Sequence, residues 1–322
     1  MLEKNDFIEQ KVILVYTYDG EKITFKNDNI VILDNNAKIK YQYSCYKIFL
    51  IYVVGGITLT SGIIEKSKKF GFSIILMNTN LKMYQTINFK LEGNTLLRKK
   101  QYLCGNTNLI GKYIIINKLE NEIGTIKLLR NIKYKSNIET IEKYTQKLIN
   151  NELSDQEIMG IEGAAAKIYF KIIFDNISWM GRIPRAKIDI VNLLLDTGYT
   201  ILFNYIESLL NIYGFDVYKG NLHKEFYMRK SLVCDIIEPF RVIIDYKIRK
   251  MYNLGQVDIN DFKLYKSRYM FNDWRKSSKY IKLFLESINE YKEEIFLFIQ
   301  SYYRWLMKGK DIDEFPRVKV FK

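Results

Sequence analysis

The feature that most restricts this 322-residue chain is a change of hydrophobic period near Asn94. Before it, short β-branched and aromatic runs alternate with turn residues; after it, apolar residues recur at helical spacing almost to the end. Val12–Tyr18 is one such run, and Asp19-Gly20 followed by Glu21–Lys26 predicts a hairpin. Strands are also predicted over Asn29–Asp34, from Lys38, over Lys47–Val54 and over Phe72–Asn78, with Lys82–Ile87 able to pair with the last. Thr60 or Ser61 can cap one short helix that Gly71 ends. The expected fold is α+β: a β-rich, sandwich-like domain over residues 1–90 with one short helix, then an all-α domain over residues 91–322.

In the second part, Leu96–Gly105 opens a helix and Leu109–Ile132 carries the next, with Gly124 as a point where it can break. Ile138–Asn151 reads as a charged amphipathic helix. Ser154-Asp155-Gln156-Glu157 is a capping box that starts another, dense in small residues, so a helix or a ligand can approach it closely. Asp189–Tyr213 is long and apolar, with Gly214 to close it. Ser231 is expected to cap the helix bearing Asp235 and Glu238, and Pro239, which has no N–H, to kink it. Asp258–Lys266 is expected to be a short helix, Ser277–Lys308 one long amphipathic helix, and the tail extended after Pro316.

Composition narrows the partner. The formal net charge is +14 and the pI about 9.3. That balance favours an anionic partner, nucleic acid before a membrane surface, although the wealth of Ile, Asn, Lys and Tyr is also what an AT-rich genome encodes. Cys45, Cys104 and Cys234 are odd in number and far apart, so no zinc cage or disulfide framework is indicated. The charged start MLEKNDFIEQ has no apolar signal region, and Ile48–Ile64 is broken by Gly55, Gly56, Thr58, Thr60, Ser61 and Gly62. A cytoplasmic protein with no membrane span is expected. Neither GxGxxG nor GxxxxGK occurs, so no Gly-rich phosphate loop is expected.

The candidate chemistry centres on Gly220–Arg241, which holds His223, the only histidine. Asp235 and Glu238 stand three apart, on one face of a helix. An imidazole nitrogen with one or two such carboxylates makes an open site for a divalent metal; a surface or capped histidine is the competing reading. Glu162 is the third candidate, an acid among Ile161, Gly163 and Ala164–Ala166 on a face whose composition is not that of a solvated one. It is either such a ligand or an exposed glutamate. Arg182 and Arg185 form a basic turn, Lys224, Arg229 and Lys230 follow His223, and Arg241 follows Glu238. Carboxylates ringed by such cations are what a phosphodiester-handling site requires.

Four blocks carry a resemblance: Glu162-Gly163-x-x-Ala166; Asn192-x-x-Leu195-x-x-Gly198-Tyr199; Gly220-x-Leu222-His223; and Ser231-Leu232-x-x-Asp235-x-x-Glu238-Pro239-Phe240-Arg241. In this order, across about a quarter of the chain, they resemble the CRISPR-associated adaptation integrases, the Cas-one family. The resemblance implies a dimerising N-terminal β domain and a helical catalytic domain that binds magnesium or manganese. It implies Glu162, His223 and Glu238 as metal ligands and Asp235 as a further acid nearby. The implied activity is insertion of short foreign DNA into a CRISPR array through its 3′-hydroxyl ends. The implied partners are double-stranded DNA, a second copy of the chain and a small Cas-two protein. On this reading, replacing a ligand removes one of a cluster of like charges, and stability can even rise. A metal-dependent nuclease or junction resolvase would use the same residues with water as nucleophile, and a DNA-binding scaffold would keep the site without the chemistry. A tyrosine recombinase is disfavoured, because HxxR is absent: Phe226 stands where arginine would be.

Overall fold

The computed structural model describes residues 3–78, 83–87, 94–105 and 107–321. A short helix, α1 (Lys4–Glu9), precedes strands β1 (Lys11–Tyr16), β2 (Lys22–Lys26), β3 (Asn29–Leu33), β4 (Ile39–Ser44) and β5 (Ile48–Val54). Helix α2 (Ser61–Phe70) leads to β6 (Ser73–Met77) and β7 (Met83–Ile87). The strands form two sheets, β1-β5-β6-β7 and antiparallel β2-β3-β4. In the first, β5 lies parallel to β1 and to β6, and β7 closes the edge antiparallel to β6. Ile13, Val15, Ile30, Ile32, Ile51 and Val53 fill the space between the sheets, which is the sandwich-like arrangement expected.

The expected hairpin at Asp19-Gly20 does not form. β1 pairs with β5 and β2 with β3, so the turn passes the chain from one sheet to the other. Glu21 accepts the Tyr16 N–H at 2.9 Å there, and Gly20 sits at φ +77°. The apolar strand β5 is fully buried along its length, flanked by neighbours on both sides, and offers no surface to a second copy. The other face of its sheet packs on the helices: Tyr52 Oη donates to the Ile201 carbonyl at 2.9 Å, and Phe49 meets Tyr205 edge-on. The boundary expected near residue 90 lies outside the described residues.

The helical part runs through α3 (Thr95–Leu103), α4 (Thr107–Leu128), α5 (Lys135–Asn150), α6 (Asp155–Ile173), α7 (Ile190–Tyr213), α8 (Ser231–Ile237) and α9 (Arg241–Asn253). Then come β8 (Phe262–Tyr265), β9 (Arg268–Phe271), α10 (Trp274–Glu290) and α11 (Lys292–Lys308). α4 passes Gly124 unbroken, because burial on nearly every face outweighs the low helix propensity of one glycine. The Ser154–Glu157 capping box is formed, and Gly214 closes α7 in the left-handed conformation.

Three local expectations are corrected. Ser231 does not cap α8: its hydroxyl donates to the Lys224 carbonyl, while the Leu232 N–H is met by the Val217 carbonyl. Residues expected as a helix after Asp258 are a 3-10 turn and the β8–β9 hairpin, so the second part is not all-α. Lys266 and Ser267 both adopt positive φ, +47° and +59°, which closes a two-residue turn without the usual Asn-Gly signal. Ser277–Lys308 is two helices broken at Tyr291: α10 packs on α7 and α9, and α11 on α1, α3 and α7. The tail does lack helix and strand, and it is pinned along α4. Asn117 and Asn121 donate to the Val318 carbonyl at 2.7 and 3.0 Å and accept from the N–H groups of Val318 and Val320.

At Gly198, α7 packs closely on α9 and α10. A Cβ there would lie 2.4 Å from Ile244 Cγ2 and 3.2 Å from Phe284. Gly198→Ala is expected to cost about 1–3 kcal/mol through overpacking. Gly163→Ala meets no atom within 4 Å and is expected to gain up to about 1 kcal/mol in helix propensity. Urea unfolding of the two variants beside the wild type checks both signs.

Candidate active site

Three consecutive features of the chain converge beside α4. α8 ends at Ile237 because Pro239 cannot donate to the helix ladder, and Glu238–Phe240 continue as a 3-10 turn into α9. That turn packs on α4 and carries Glu238 inward, where it is 5% exposed. Arg241 closes on it bidentately, Nε and Nη2 each 2.9 Å from a carboxylate oxygen. From α4, Lys118 Nζ stands 2.9 Å from Glu238 and also holds the Glu162 carboxylate of α6. Glu162 and Glu238 therefore share one ammonium, which is 8% exposed.

These residues line an open cavity of about 1230 Å³. Gly163 and Ala166 of α6 line its wall beside Glu162, so the small-residue face leaves room for a ligand rather than a helix. Lys167, Lys171, Arg182, Arg185 and Lys187 give the same cavity a basic lining. Buried Asp245 accepts from Tyr169 and Tyr199, and Arg182 and Arg241 both lie over the Tyr199 ring, at 5.4 and 4.6 Å.

The electrostatics follow from this contact set. Burial opposes ionisation of Glu238, but Arg241 and Lys118 outweigh it and hold the carboxyl at about 2. Burial likewise opposes charge on Lys118, yet Glu238, Glu162 and Glu122 prevail and raise its pKa above the usual lysine value. At Glu122 burial wins over Lys118, and the carboxyl is pushed up to about 8. Asp245 is raised to about 6 by burial, against its Tyr199 hydrogen bond and Arg241.

His223 is placed differently. Its ring Nδ1 lies 2.7 Å from Asp235 Oδ1, and Asp235 also accepts the backbone N–H groups of Asn221, Leu222 and His223 at 2.5, 3.2 and 3.0 Å. Four donors occupy the lone pairs of this fully buried carboxylate, so Asp235 fixes the loop and the imidazole and has no oxygen to spare. With Nδ1–H on the carboxylate, Nε2 is left as the lone-pair nitrogen. Gly220 permits the arrangement: a Cβ there would meet Ser231 Cβ at 2.7 Å. His223 does not line the Glu162–Glu238 cavity. Among the described residues, no three His, Cys, Asp or Glu side chains are gathered closely enough to hold a metal ion.

The family model for CRISPR associated protein Cas1 matches residues 14–286. The chain belongs to the Cas1 family. It is 28% identical to a CRISPR-associated endonuclease Cas1 of Thermodesulfovibrio yellowstonii, over 81% of this chain and 87% of that one. With a Cas1 endonuclease of Chlorobaculum tepidum it shares 29% identity over 78% of each. Its fold is that of a CAS1 protein from Thermotoga maritima, with a TM-score of 0.78 at 20% identity over 94% of this chain and 98% of that one. It is also that of a casposase bound to integration product, with a TM-score of 0.76 at 20% identity over 94% and 92% of the two chains. A Cas6-RT-Cas1–Cas2 complex gives a TM-score of 0.77 at 19% identity, this chain spanning 36% of the matched chain. The family read from the four motif blocks is therefore correct.

Of the basic residues proposed for this Cas1 family member, Arg185, Lys224 and Arg229 are exposed. The other three are drawn into the protein: Arg182 pairs with Asp196 at 2.8 Å, Lys230 with Glu207 at 2.6 Å, and Arg241 with Glu238. Sequence reasoning missed Lys118, Glu122, Lys167, Lys171 and Lys187. Lys118 and Glu122 had a signal, being charges four apart on a helix too apolar all round to be solvated.

No excess of like charge exists to be relieved at Glu238, because Lys118 and Arg241 compensate it. Its pKa is lower folded than unfolded, so its contribution is fully present above about 4.5 and lost as pH falls toward about 2. Asp245, raised, works the other way, and its contribution is lost as pH rises toward about 6. Glu238→Gln is expected to lose on the order of 3 kcal/mol at pH 7. The gap to wild type should close between pH 4.5 and 2, read by urea unfolding at each pH.

Proposed function

We propose that this chain is a CRISPR adaptation integrase, joining the 3′-hydroxyl of a short DNA to a phosphodiester of the repeat array. The observation that carries the reading is the convergence of Glu162 and Glu238 on one cationic point in a cavity with a basic lining. The casposase neighbour, solved with its integration product, and the relatives named Cas1 endonuclease support it.

Two carboxylates already arranged around a single cation suit magnesium or manganese, and the oxygen-rich set suits a hard ion. Glu162, Glu238 and His223 Nε2 would hold it. When bound, such an ion supplies Lewis-acid stabilisation of the phosphoryl oxygens and lowers the pKa of the attacking hydroxyl. The chain supplies the rest. Arg241 keeps Glu238 ionised and aimed, Asp235 fixes the imidazole tautomer, and the basic lining orients the phosphates. A new P–O bond forms as the target's 3′ oxygen departs and takes up a proton. One phosphodiester replaces another, and no nucleotide cofactor is consumed. Water in place of the hydroxyl would give an endonuclease, the activity in the relatives' names. As partners we propose double-stranded DNA, a second copy of this chain and a small Cas2 protein, the last because the neighbours include Cas1–Cas2 complexes. Among the described residues no helix is long and apolar enough to cross a membrane.

Strand transfer of a short duplex into supercoiled plasmid, with magnesium or manganese, tests the chemistry. Glu162→Ala, His223→Ala and Glu238→Ala are expected to fall by about 100-fold or more, with DNA affinity little changed. Full activity of folded His223→Ala, or in excess chelator, would refute the metal-site reading. Arg185→Ala, Lys224→Ala and Arg229→Ala should each lower the log–log salt slope of DNA binding by about one unit. Arg182→Ala should instead lower stability, because its partner Asp196 is left uncompensated. Light scattering at micromolar concentration is expected to give a dimer; a monomer without DNA would remove the second copy from the proposal.

A further inference from the structure

We propose that Lys118 is a resident cation of this site, competing with the divalent metal for Glu162 and Glu238. The inference rests on the metal-site reading above and deepens it. The Lys118 ammonium sits between the two carboxylates, touching both, with the side chain 8% exposed. A single positive charge thus occupies the place where a doubly charged ion would bring the same oxygens together.

The structure also offers the ammonium somewhere to go. Glu122 lies one helical turn on from Lys118 along α4, in the (i, i+4) relation that brings two side chains together. It is 3% exposed and lines the same cavity, and its Oε2 has no hydrogen-bond partner among the described residues. Lys118 therefore has the Glu162–Glu238 pair as its seat in this structure and Glu122 as a second acceptor on the same cavity, within reach of a change of rotamer. In the first it keeps the metal-free site from self-repulsion. In the second it leaves the pair to a divalent ion without being expelled to solvent. Only an ion that attracts the two carboxylates more strongly than one ammonium does would take its place, which disfavours monovalent ions. If the first seat is filled about nine-tenths of the time, apparent metal affinity is about tenfold weaker than that of the freed pair.

The test is Mn2+ binding to the full chain, read by loss of the free-ion paramagnetic resonance signal at fixed pH. Lys118→Met is expected to bind about tenfold more tightly than wild type, and Glu238→Gln to lose that binding. Glu238-dependent binding in wild type that is equal or weaker in Lys118→Met overturns the competition and leaves the metal site standing. Absence of Glu238-dependent binding in both proteins overturns the metal site and this inference together. Should Lys118→Met not fold, wild-type chain with 15N-labelled lysine gives the answer. The buried ammonium resonance is expected to shift on Mg2+ titration with the midpoint of binding, and an unmoved resonance at saturation overturns the proposal.

Discussion

A carboxylate buried in its ionised form has to be met by cations or hydrogen-bond donors, and Glu238 is met by two cations. Left alone, a buried ionised group costs several kcal/mol, so its position holds only while partners are supplied. Arg241 comes from the next turn of the chain and grips both oxygens. Lys118 comes from α4, far away in sequence, and brings Glu162 with it. The break at Pro239 and the path of α4 are thus bound together: the 3-10 turn faces α4, and Lys118 reaches across to it. Arg241 also lies against Tyr199, whose hydroxyl donates to buried Asp245, so α6, α7 and α9 join the same network.

α4 can serve in this way because its own buried polar residues are satisfied. Asn117 and Asn121, nearly fully buried, bond the backbone of the C-terminal tail, and Thr125 donates back to the Asn121 carbonyl. The tail's remaining apolar residue, Phe321, packs on Tyr246 and Tyr291. One face of α4 therefore binds the end of the chain while another presents Lys118 and Glu122 to the cavity. Position along a single rigid helix couples the closure of the fold to the geometry of the site.

The histidine side of the site is built on a different principle. Asp235 gives all its acceptor capacity to the 221–223 backbone and the imidazole, which sets the ring orientation before any ligand arrives. Beyond it the chain rises to the surface, and Lys224 to Arg229 are exposed, with Phe226, Tyr227 and Met228 among the most exposed apolar residues. The carboxylate–ammonium cluster of the cavity and the histidine on its surface loop are thus held by separate sets of contacts.

Much of this was legible in the sequence. The change of period near Asn94 separated strands from helices, the Ser154–Glu157 box marked the start of α6, and Gly214 marked the end of α7, because these signals act within a few residues of chain. The motif blocks named the family and the candidate acids, since spacing on one helix face is a local property. What lay beyond was decided by contacts between segments distant in sequence. The Asp19-Gly20 turn joined two sheets instead of making a hairpin, because β1 found a parallel partner in β5. Ser231 lost its capping role to a carbonyl from the preceding loop. The sequence by itself determined most of the elements and the candidate acids Glu162 and Glu238. Only the tertiary structure decided that the cation between Glu162 and Glu238 is a lysine of another helix, because the cost of burying charge is settled by whichever partner the folded chain brings near.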